Sequence, residues 1–412
     1  MKIFAFQGFR YSSEVTDRGA LAAPPFDQIE DRLRDELHAV SPHHYSHFTR
    51  PVERDGMDAY AAAAAVHDSW VREGVVQREE SPSLYPYVVE APDGTRRVSL
   101  CCLVAVGTTE KSDLRPHELT VQKPLADRLA LLRTTRIDPE PVMILAEDDG
   151  SFEAQLWADL DGRAPLVSHR DSSGNVHHLF KLDDEDAIQR YKKTLQDRAA
   201  TIADGHHRCK TAQLYAQEIG ASEGTPATAK LAVLISLASP DLAIDPIHRA
   251  VTAALDRDSL AESAVECNLF HGASGAQLAA AVAGAEGPAL GVWVRGSQAE
   301  VWRLDPSLAP ESAPRRARRL STVLLHHLLL PAAGLELSTA TDGTVVYRSD
   351  SDQLYRMRER DEVGTAFWLP PMAPAAFAEA VSEGDVLPPK STRFMPKLAS
   401  GLVWVGHDAK LI

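Results

Sequence analysis

Cysteine is scarce in this sequence and shows no spacing typical of a cross-linked or metal-binding scaffold. The 412 residues contain four cysteines, Cys101, Cys102, Cys209 and Cys267, and no two of them form a Cys-x-x-Cys pair. Disulfide frameworks and structural zinc sites rely on such paired spacing. The cysteine content therefore argues against a disulfide-stabilised secreted domain and indicates a reducing compartment.

Long apolar runs are also missing. The first ten residues, MKIFAFQGFR, lack the apolar region of a signal peptide, and no later stretch is long enough to cross a bilayer. We therefore expect a cytoplasmic protein with no membrane partner.

The chain has no excess of positive charge. Its 43 Lys and Arg residues stand against 58 Asp and Glu residues, which gives a formal net charge of -15. Such a balance repels nucleic acids and anionic lipid surfaces unless cations are locally concentrated. Because the sequence also lacks a helix-turn-helix signal, we expect no nucleic-acid partner, and local basic clusters become informative.

One short motif combines several chemically active side chains. The sequence Asp204-Gly205-His206-His207-Arg208 follows the apolar residues Thr201-Ile202-Ala203 and precedes a run of helix-forming residues. This order predicts a strand, a glycine turn and the start of a helix, whose first amides favour an anion. Surface histidines beside an ordinary Asp-Gly turn are the alternative. We favour a phosphate-binding turn, with Asp204, His206 and His207 as candidate catalytic groups and Gly205 and Arg208 as candidate phosphate ligands.

A second group of candidates lies in a locally basic stretch. Between Arg115 and Arg136 there are five cations, Arg115, Lys123, Arg128, Arg133 and Arg136, against two acids, Glu118 and Asp127. The stretch is either a solvated basic helix face or a phosphate-contacting segment. The adjacent pair His117-Glu118 adds titratable groups. From this stretch we take Glu118 as a candidate base and His117, Lys123, Asp127 and Arg128 as candidate substrate or phosphate contacts.

The third group lies near the end of the chain. Lys390-Ser391-Thr392-Arg393 and Lys397 place three cations and two hydroxyls within eight residues, bracketed by prolines and without an acid. Phosphate is the natural partner of such a segment. It is not a Walker loop, because the preceding glycine-rich run is absent. Lys390, Ser391, Thr392 and Lys397 are therefore candidate phosphate contacts, with a solvated tail as the alternative.

The remaining pattern predicts a mixed α/β (α+β) fold. Residues 231–238 form a continuous apolar run typical of a buried strand, residues 288–294 and 299–304 predict a hairpin, and residues 245–249 predict a helix start. The linker-like composition of residues 220–226 places the domain boundary there. We therefore predict an N-terminal α/β domain over residues 1–222 and a C-terminal α/β domain over residues 223–412 whose last segment returns to the site.

Four motifs, taken in order, resemble a known family across the whole chain. They are Ala23-Pro24-Pro25-Phe26-Asp27, Pro116-His117-Glu118 with Lys123-Pro124 and Asp127-Arg128, Ala203 to Arg208, and Lys390-Ser391-Thr392 with Pro396-Lys397. Together they resemble the bacterial and archaeal family known as domain of unknown function ten-fifteen. The Asp-Gly-His-His-Arg turn is similar to the phosphate-binding turn of the ParB/sulfiredoxin-like fold, whose relatives include free-serine kinases. Members of the ten-fifteen family are similar to a pyrophosphate-dependent free-serine kinase.

The resemblance implies a function. It implies a ParB/sulfiredoxin-like core with a second mixed α/β domain, and transfer of a phosphoryl group from pyrophosphate or a nucleotide to a small hydroxyl compound, with free L-serine as the preferred acceptor. In such chemistry Mg²⁺ is the expected cofactor. A ParB-like nucleotide-sensing regulator and a phosphatase or pyrophosphatase using the same pocket are the alternatives. The sequence leaves the metal ligands open and the oligomeric state undecided, a homodimer included.

Overall fold

The computed structural model describes residues 1–107, 114–118, 123–335 and 344–412. The chain divides into two compact units. Unit 1 contains residues 1–115, 121–242 and 396–412, and unit 2 contains residues 116–120 and 243–395. The chain therefore enters unit 2 twice and ends in unit 1.

Unit 1 is built on a nine-stranded mixed sheet. From one edge to the other the strands are Leu114–Arg115, Ala200–Asp204, Val142–Ala146, Ala229–Ser236, Arg96–Ala105, Tyr85–Glu90, Val176–Leu179 and Val167–Arg170, and Ile3–Phe4 pairs with Arg96–Ala105 off this path. Every residue of Ala229–Ser236 is buried. A strand covered on both faces needs this continuous apolar sequence, so the predicted buried strand is confirmed.

Helices cover the sheet of unit 1 and smaller strand pairs complete it. The helices are Asp31–Val40, Ser46–Thr49, Ala59–Arg72, Lys123–Thr135, Ser151–Leu160, Glu185–Leu195 and His206–Glu218, with 3-10 helices at Arg18–Leu21, Phe26–Gln28 and Pro226–Thr228. The strand pairs are Phe9–Tyr11 with Val76–Arg78 and Ile137–Asp138 with Val405–Gly406. The last pair joins the end of the chain to unit 1.

Unit 2 has a six-stranded sheet whose paired neighbours are all antiparallel. Its strand order is Ala264–Leu269, Glu300–Leu304, Ala289–Val294, Thr365–Trp368, His248–Val251 and Val345–Arg348, and a separate pair joins Ala243–Asp245 to Arg393–Met395. The helices are Arg257–Ala261, Gly275–Ala283, Ser351–Glu359 and Pro374–Val381, and a continuous helical run over Ser321–Leu324, Leu325–Leu329 and Leu330–Ala332 has a π-helical middle turn. A 3-10 helix covers Pro306–Leu308. The predicted hairpin is confirmed, and so is the mixed α/β class.

One predicted helix is wrong. Residues 245–249 lie in extended structure, with strands at Ala243–Asp245 and His248–Val251. The strand His248–Val251 is buried throughout and pairs on both sides, with Val345–Arg348 and Thr365–Trp368. Tertiary strand pairing therefore overrides the local signal of a helix start.

The division into units falls later in the chain than the linker-like segment. The compact units divide at 242/243, whereas the composition placed a boundary at 222/223. The strand Ala229–Ser236 explains the difference, because it pairs with both Arg96–Ala105 and Val142–Ala146 inside the sheet of unit 1. The segment around Gly224 is a surface connection within one unit.

The described ranges contain no helix that is both long enough and apolar enough to span a bilayer.

Candidate functional site

The Asp204–Arg208 motif lies at a junction between a strand and a helix, as its sequence predicts. The strand Ala200–Asp204 ends at Asp204, and the helix His206–Glu218 begins after Gly205. The first amides of a helix have no partner within the helix, and the helix dipole adds positive potential at the same end. The turn therefore has the backbone geometry of an anion site.

Gly205 is required at this turn for two reasons. Its φ of 92° lies in the left-handed region, which side chains rarely adopt. A Cβ at this position would also lie 2.6 Å from Val142 Cγ1 and 3.1 Å from the Arg208 Nε atom. The backbone at Gly205 therefore lies closer to the Arg208 guanidinium than a residue with a Cβ at this position would allow.

We expect Gly205→Ala to destabilise unit 1 by about 2–4 kcal/mol, because it combines backbone strain with crowding against Val142 and Arg208. The measurement is the free energy of unfolding from chemical denaturation. Gly220→Ala is the matched control, since Gly220 also has a positive φ, 59°, but nothing lies within 4 Å of its added Cβ. The control should cost only about 1–2 kcal/mol, and equal losses in both variants would show that the close approach at Gly205 is unimportant.

Asp204 holds two cations, one on each carboxylate oxygen. Its Oδ1 accepts a hydrogen bond from Lys397 Nζ at 2.6 Å, and its Oδ2 accepts one from Arg208 Nη2 at 2.9 Å. Arg208 also donates to the Pro141 carbonyl oxygen at 2.7 Å. The cluster Asp204–Arg208–Lys397 therefore combines the glycine turn with the end of the chain, inside unit 1.

The charge state of Asp204 follows from these contacts. Burial alone would raise the pKa of the carboxyl, but the charges of Lys397 and Arg208 outweigh it and lower the pKa of Asp204 to about 2. The same interaction raises the pKa of Arg208 against the opposing effect of burial. The cluster therefore carries one negative and two positive charges at neutral pH, and its net charge favours an anionic ligand.

Arg128 and Asp127 form a second ion pair in unit 1. The Arg128 Nε donates to Asp127 Oδ2 at 2.7 Å, its Nη1 donates to the Thr49 carbonyl oxygen at 3.0 Å, and its guanidinium lies 4.1 Å above the Phe26 ring. Arg128 is only 6% exposed, so it is not part of a solvated basic face. The other oxygen of Asp127 accepts from the Tyr60 hydroxyl at 3.0 Å.

Arg128 and Arg208 line the same small cavity of about 30 Å³ within unit 1. The cavity has room for about one water molecule and is too small for a phosphate group. Glu140 and Lys230 also line it. The two arginines therefore share an interior polar network beneath the turn.

Glu140 is a member of this network that the sequence patterns did not single out. Its Oε1 accepts hydrogen bonds from the Phe26 amide and the Ser400 hydroxyl, both at 2.9 Å, while its Oε2 is buried without a partner among the described residues. The signal was present in the sequence, since Glu140 lies between two prolines directly before a buried strand. Through Phe26, Glu140 connects the Ala-Pro-Pro-Phe-Asp motif to the network.

His117 has a packed position in unit 2. It is fully buried, its Nε2 lies 2.7 Å from the Thr392 hydroxyl oxygen, and its ring contacts Phe377 and Phe394 edge-on. Its carbonyl oxygen accepts from the Leu387 amide at 2.7 Å. Two predicted motifs, those of His117 and Thr392, thus meet in unit 2.

The Lys390–Thr392 segment of unit 2 is fixed through its backbone. Lys390 has a φ of 58° and its carbonyl oxygen accepts from Arg249 Nη2 at 2.7 Å, while the Ser391 hydroxyl donates to the Pro388 carbonyl oxygen at 2.6 Å. Arg249 is 1% exposed, and burial lowers its pKa to about 10. The Lys390 side chain is exposed and has no ion-pair partner among the residues that the structure describes.

Glu118 lies beside this segment in unit 2. It forms a parallel bridge with Leu387. The charge of Glu118 raises the pKa of both Arg249 and Tyr347; burial opposes this effect at Arg249 and adds to it at Tyr347.

The predicted candidates form two groups. Unit 1 holds Asp204, Gly205, His206, His207, Arg208, Asp127, Arg128 and Lys397, and unit 2 holds His117, Glu118, Lys390, Ser391 and Thr392. A single site containing both groups stays a prediction.

The two histidines of the turn differ in exposure. His206 is buried at the first position of the helix and helps to lower the pKa of Asp204, whereas His207 is partly exposed.

The helix of the basic stretch begins at Lys123, whose side chain lies outside the described part of the chain.

A magnesium site is not formed by the carboxylates of the turn. Both oxygens of Asp204 and both oxygens of Asp127 already accept hydrogen bonds from neighbouring side chains. Over the described ranges, no group of three or more His, Cys, Asp and Glu side chains could hold a metal ion. These carboxylates do not fit Mg²⁺ in this arrangement, and the expected ion stays a prediction.

Comparison with solved structures gives distant likenesses. A conserved hypothetical protein from Pyrococcus furiosus is 15% identical with a TM-score of 0.36, and the match covers 73% of this chain and 95% of that chain. A free serine kinase in complex with AMP is 14% identical with a TM-score of 0.37, covering 73% and 92%. C-terminally truncated SbnI from Staphylococcus aureus is 10% identical with a TM-score of 0.37, covering 72% and 83%.

Sequence comparison with curated proteins gives no significant match. A family model described as "Protein of unknown function (DUF1015)" matches residues 3–312, about three quarters of the chain, and includes the glycine turn and the His117-Glu118 pair. The chain therefore belongs to the DUF1015 family.

Proposed function

We propose that this protein is a phosphotransferase that moves a phosphoryl group from pyrophosphate or a nucleotide to the hydroxyl of a small molecule, with free L-serine as the acceptor. The observation that carries the proposal is the cluster of Arg208, Lys397 and Asp204 at a glycine turn that opens a helix. Two cations and a helix N-terminus at one point favour the binding of a phosphate group.

The cluster suits phosphoryl transfer because that reaction depends on positioning and charge neutralisation more than on covalent participation of the protein. In the proposed step the bond between the transferred phosphorus and the bridging oxygen of the donor breaks, and a bond from phosphorus to the serine hydroxyl oxygen forms. The departing group, phosphate from pyrophosphate or the shortened nucleotide from a nucleotide donor, keeps the electron pair of the broken bond. Arg208 and Lys397 would neutralise the charge that develops on the phosphoryl oxygens.

The hydroxyl proton needs an acceptor, and the two carboxylates Asp204 and Glu118 are the candidates. A carboxyl with a pKa of about 2 is a weak base. Asp204 therefore supports the reaction best as the group that holds Lys397 and Arg208 and orients the acceptor hydroxyl. No step of the proposed reaction passes through a metal ion bound by Asp204, whose oxygens are occupied by these two cations.

Phosphorus NMR tests the proposal directly. Purified protein would be incubated with L-serine and Mg²⁺ and, in turn, pyrophosphate, ATP and ADP, with a matched series lacking Mg²⁺. We expect an O-phosphoserine signal with at least one donor. Release of inorganic phosphate at the same rate without serine would indicate a phosphatase or pyrophosphatase, and nucleotide binding without any product would indicate the nucleotide-sensing regulator.

A further inference from the structure

A large cavity in unit 2 lies apart from all the motifs discussed above. Its volume is about 700 Å³. Its lining comes from the helix Gly275–Ala283, from Asp305 and the start of the 3-10 helix Pro306–Leu308, from the start of the helical run at Ser321 and from the segment 370–376. Pockets of roughly 300–1,000 Å³ are the usual size for small-molecule sites. The cavity is therefore large enough for a ligand of metabolite size.

The lining of the cavity includes two side-chain donors, those of Thr322 and Arg319, that have no partner among the described residues. Thr322 is 6% exposed, and its hydroxyl has no hydrogen-bond partner among the described residues. The oxygen itself is not enclosed in the interior, so the hydroxyl is accessible to water or to a ligand and can donate to either. Arg319 also lines the cavity and forms neither a hydrogen bond nor an ion pair with any residue in the described ranges.

The start of a helix also contributes to the lining. The helix Pro374–Val381 has no side-chain cap at Ala373, and Ala376 in its first turn lines the cavity. The uncapped amides of a first turn suit a carboxylate. The Thr322 hydroxyl, the Arg319 guanidinium and this helix start all line the cavity, and each of them suits a carboxylate group.

The same cavity contains one acid. Asp305 Oδ1 accepts hydrogen bonds from the Ser307 amide at 2.9 Å and the Ser307 hydroxyl at 2.7 Å, and these bonds lower the pKa of Asp305. Its second oxygen accepts no hydrogen bond within the described part of the chain. Asp305 and Arg319 line one cavity without pairing with each other, so opposite charges remain available to a ligand.

Apart from Ser307 and Ser321, the rest of the lining is apolar. The side chains of Val282, Pro288, Leu320, Pro371 and Met372 contribute to the wall. An apolar wall with a few polar groups is the usual composition of a small-molecule site.

We infer that this cavity binds a zwitterionic small molecule with an apolar side chain, that is, an amino acid or a short peptide. Its carboxylate contacts Arg319 and Thr322, its ammonium group contacts Asp305, and its side chain packs against Val282, Leu320 and Met372. The site is independent of the proposed phosphoryl transfer, because none of its residues belongs to the phosphate-binding motifs.

Calorimetry with four probes tests this inference on the full chain. The probes are L-leucine, L-leucyl-L-leucine, 4-methylpentanoate, which lacks the ammonium group, and 3-methylbutylamine, which lacks the carboxylate. We expect at least one of the two zwitterions to bind at least about tenfold more tightly than either half-molecule, and the tighter one identifies an amino-acid or a peptide site. The inference is overturned if neither zwitterion binds at millimolar concentration, or if 4-methylpentanoate binds equally well.

Variants locate the binding within the cavity. Arg319→Gln and Thr322→Val should each weaken binding of the better zwitterion by about tenfold. Asp305→Asn retains an amide oxygen that can cap the Ser307 turn. It should therefore weaken binding of the zwitterion but leave the affinity for 4-methylpentanoate unchanged. Arg315→Gln is the matched control, because Arg315 is an exposed arginine of the same segment that does not line the cavity. Equal effects at Arg315 and Arg319 would place the ligand elsewhere.

Discussion

Replacement of Arg208 by alanine should weaken the binding of pyrophosphate by about 2 kcal/mol or more, which corresponds to roughly a 30-fold higher dissociation constant. Arg208 is 8% exposed and donates to both Asp204 and the Pro141 carbonyl oxygen. The variant therefore removes a charge-assisted donor from a partly desolvated position and leaves Asp204 with Lys397 alone. Isothermal titration calorimetry with pyrophosphate measures the change.

Two companion variants separate binding from folding. Arg208→Lys keeps the positive charge but loses the planar fork, so its affinity should fall between those of the wild type and the alanine variant. Arg133→Ala is the control, since Arg133 forms an exposed ion pair with Glu218 on the same helix that carries Arg208. Unchanged pyrophosphate affinity in a folded Arg208→Ala variant would remove Arg208 from the proposed phosphate site.

The carboxylate variants should have the largest effect on turnover. If Asp204 or Glu118 orients or deprotonates the acceptor hydroxyl, then Asp204→Asn or Glu118→Gln should reduce turnover by roughly a hundredfold to ten-thousandfold. Donor binding should survive in Glu118→Gln. Asp204→Asn removes the negative charge that holds Lys397 and Arg208, so the two cations should gain freedom and donor affinity should stay the same or increase.

The rate of phosphoserine formation at saturating pyrophosphate and serine is measured for the two variants and for the wild type. A loss confined to one of them identifies the carboxylate that acts on the hydroxyl. Wild-type turnover in both would contradict the kinase proposal, and so would a wild-type protein that forms no phosphorylated product with any donor. In the second case, altered nucleotide affinity in the same variants would favour the regulator.

Local sequence predicted the glycine turn well. The strand at Ala200–Asp204, the turn at Gly205 and the helix start at His206 all lie within a few residues, so their signals do not depend on distant contacts. The buried strand Ala229–Ser236 of unit 1 and the hairpin of unit 2 were predicted for the same reason. The helix expected at residues 245–249 failed because pairing of His248–Val251 with two distant strands outweighed the local signal.

Contacts between distant residues could not be predicted from the motifs. Lys397 and Asp204 are 193 residues apart, and His117 and Thr392 are 275 residues apart. The sequence indicated that these residues belong to basic or titratable clusters, but not which ones would pair. Only the fold shows that Lys397 neutralises Asp204 in unit 1, while Thr392 is held by a buried histidine in unit 2.

The sequence by itself determined the mixed α/β class, the glycine turn between strand and helix, and the side chains available at that turn, because periodicity, turn composition and charge are local properties. The tertiary structure decided which of those side chains are buried and paired. Arg128 became an interior ion pair, and Glu140 joined the network beneath the turn. Their roles depend on burial and on partners brought together from distant parts of the chain, and these arise only when the sheets are assembled.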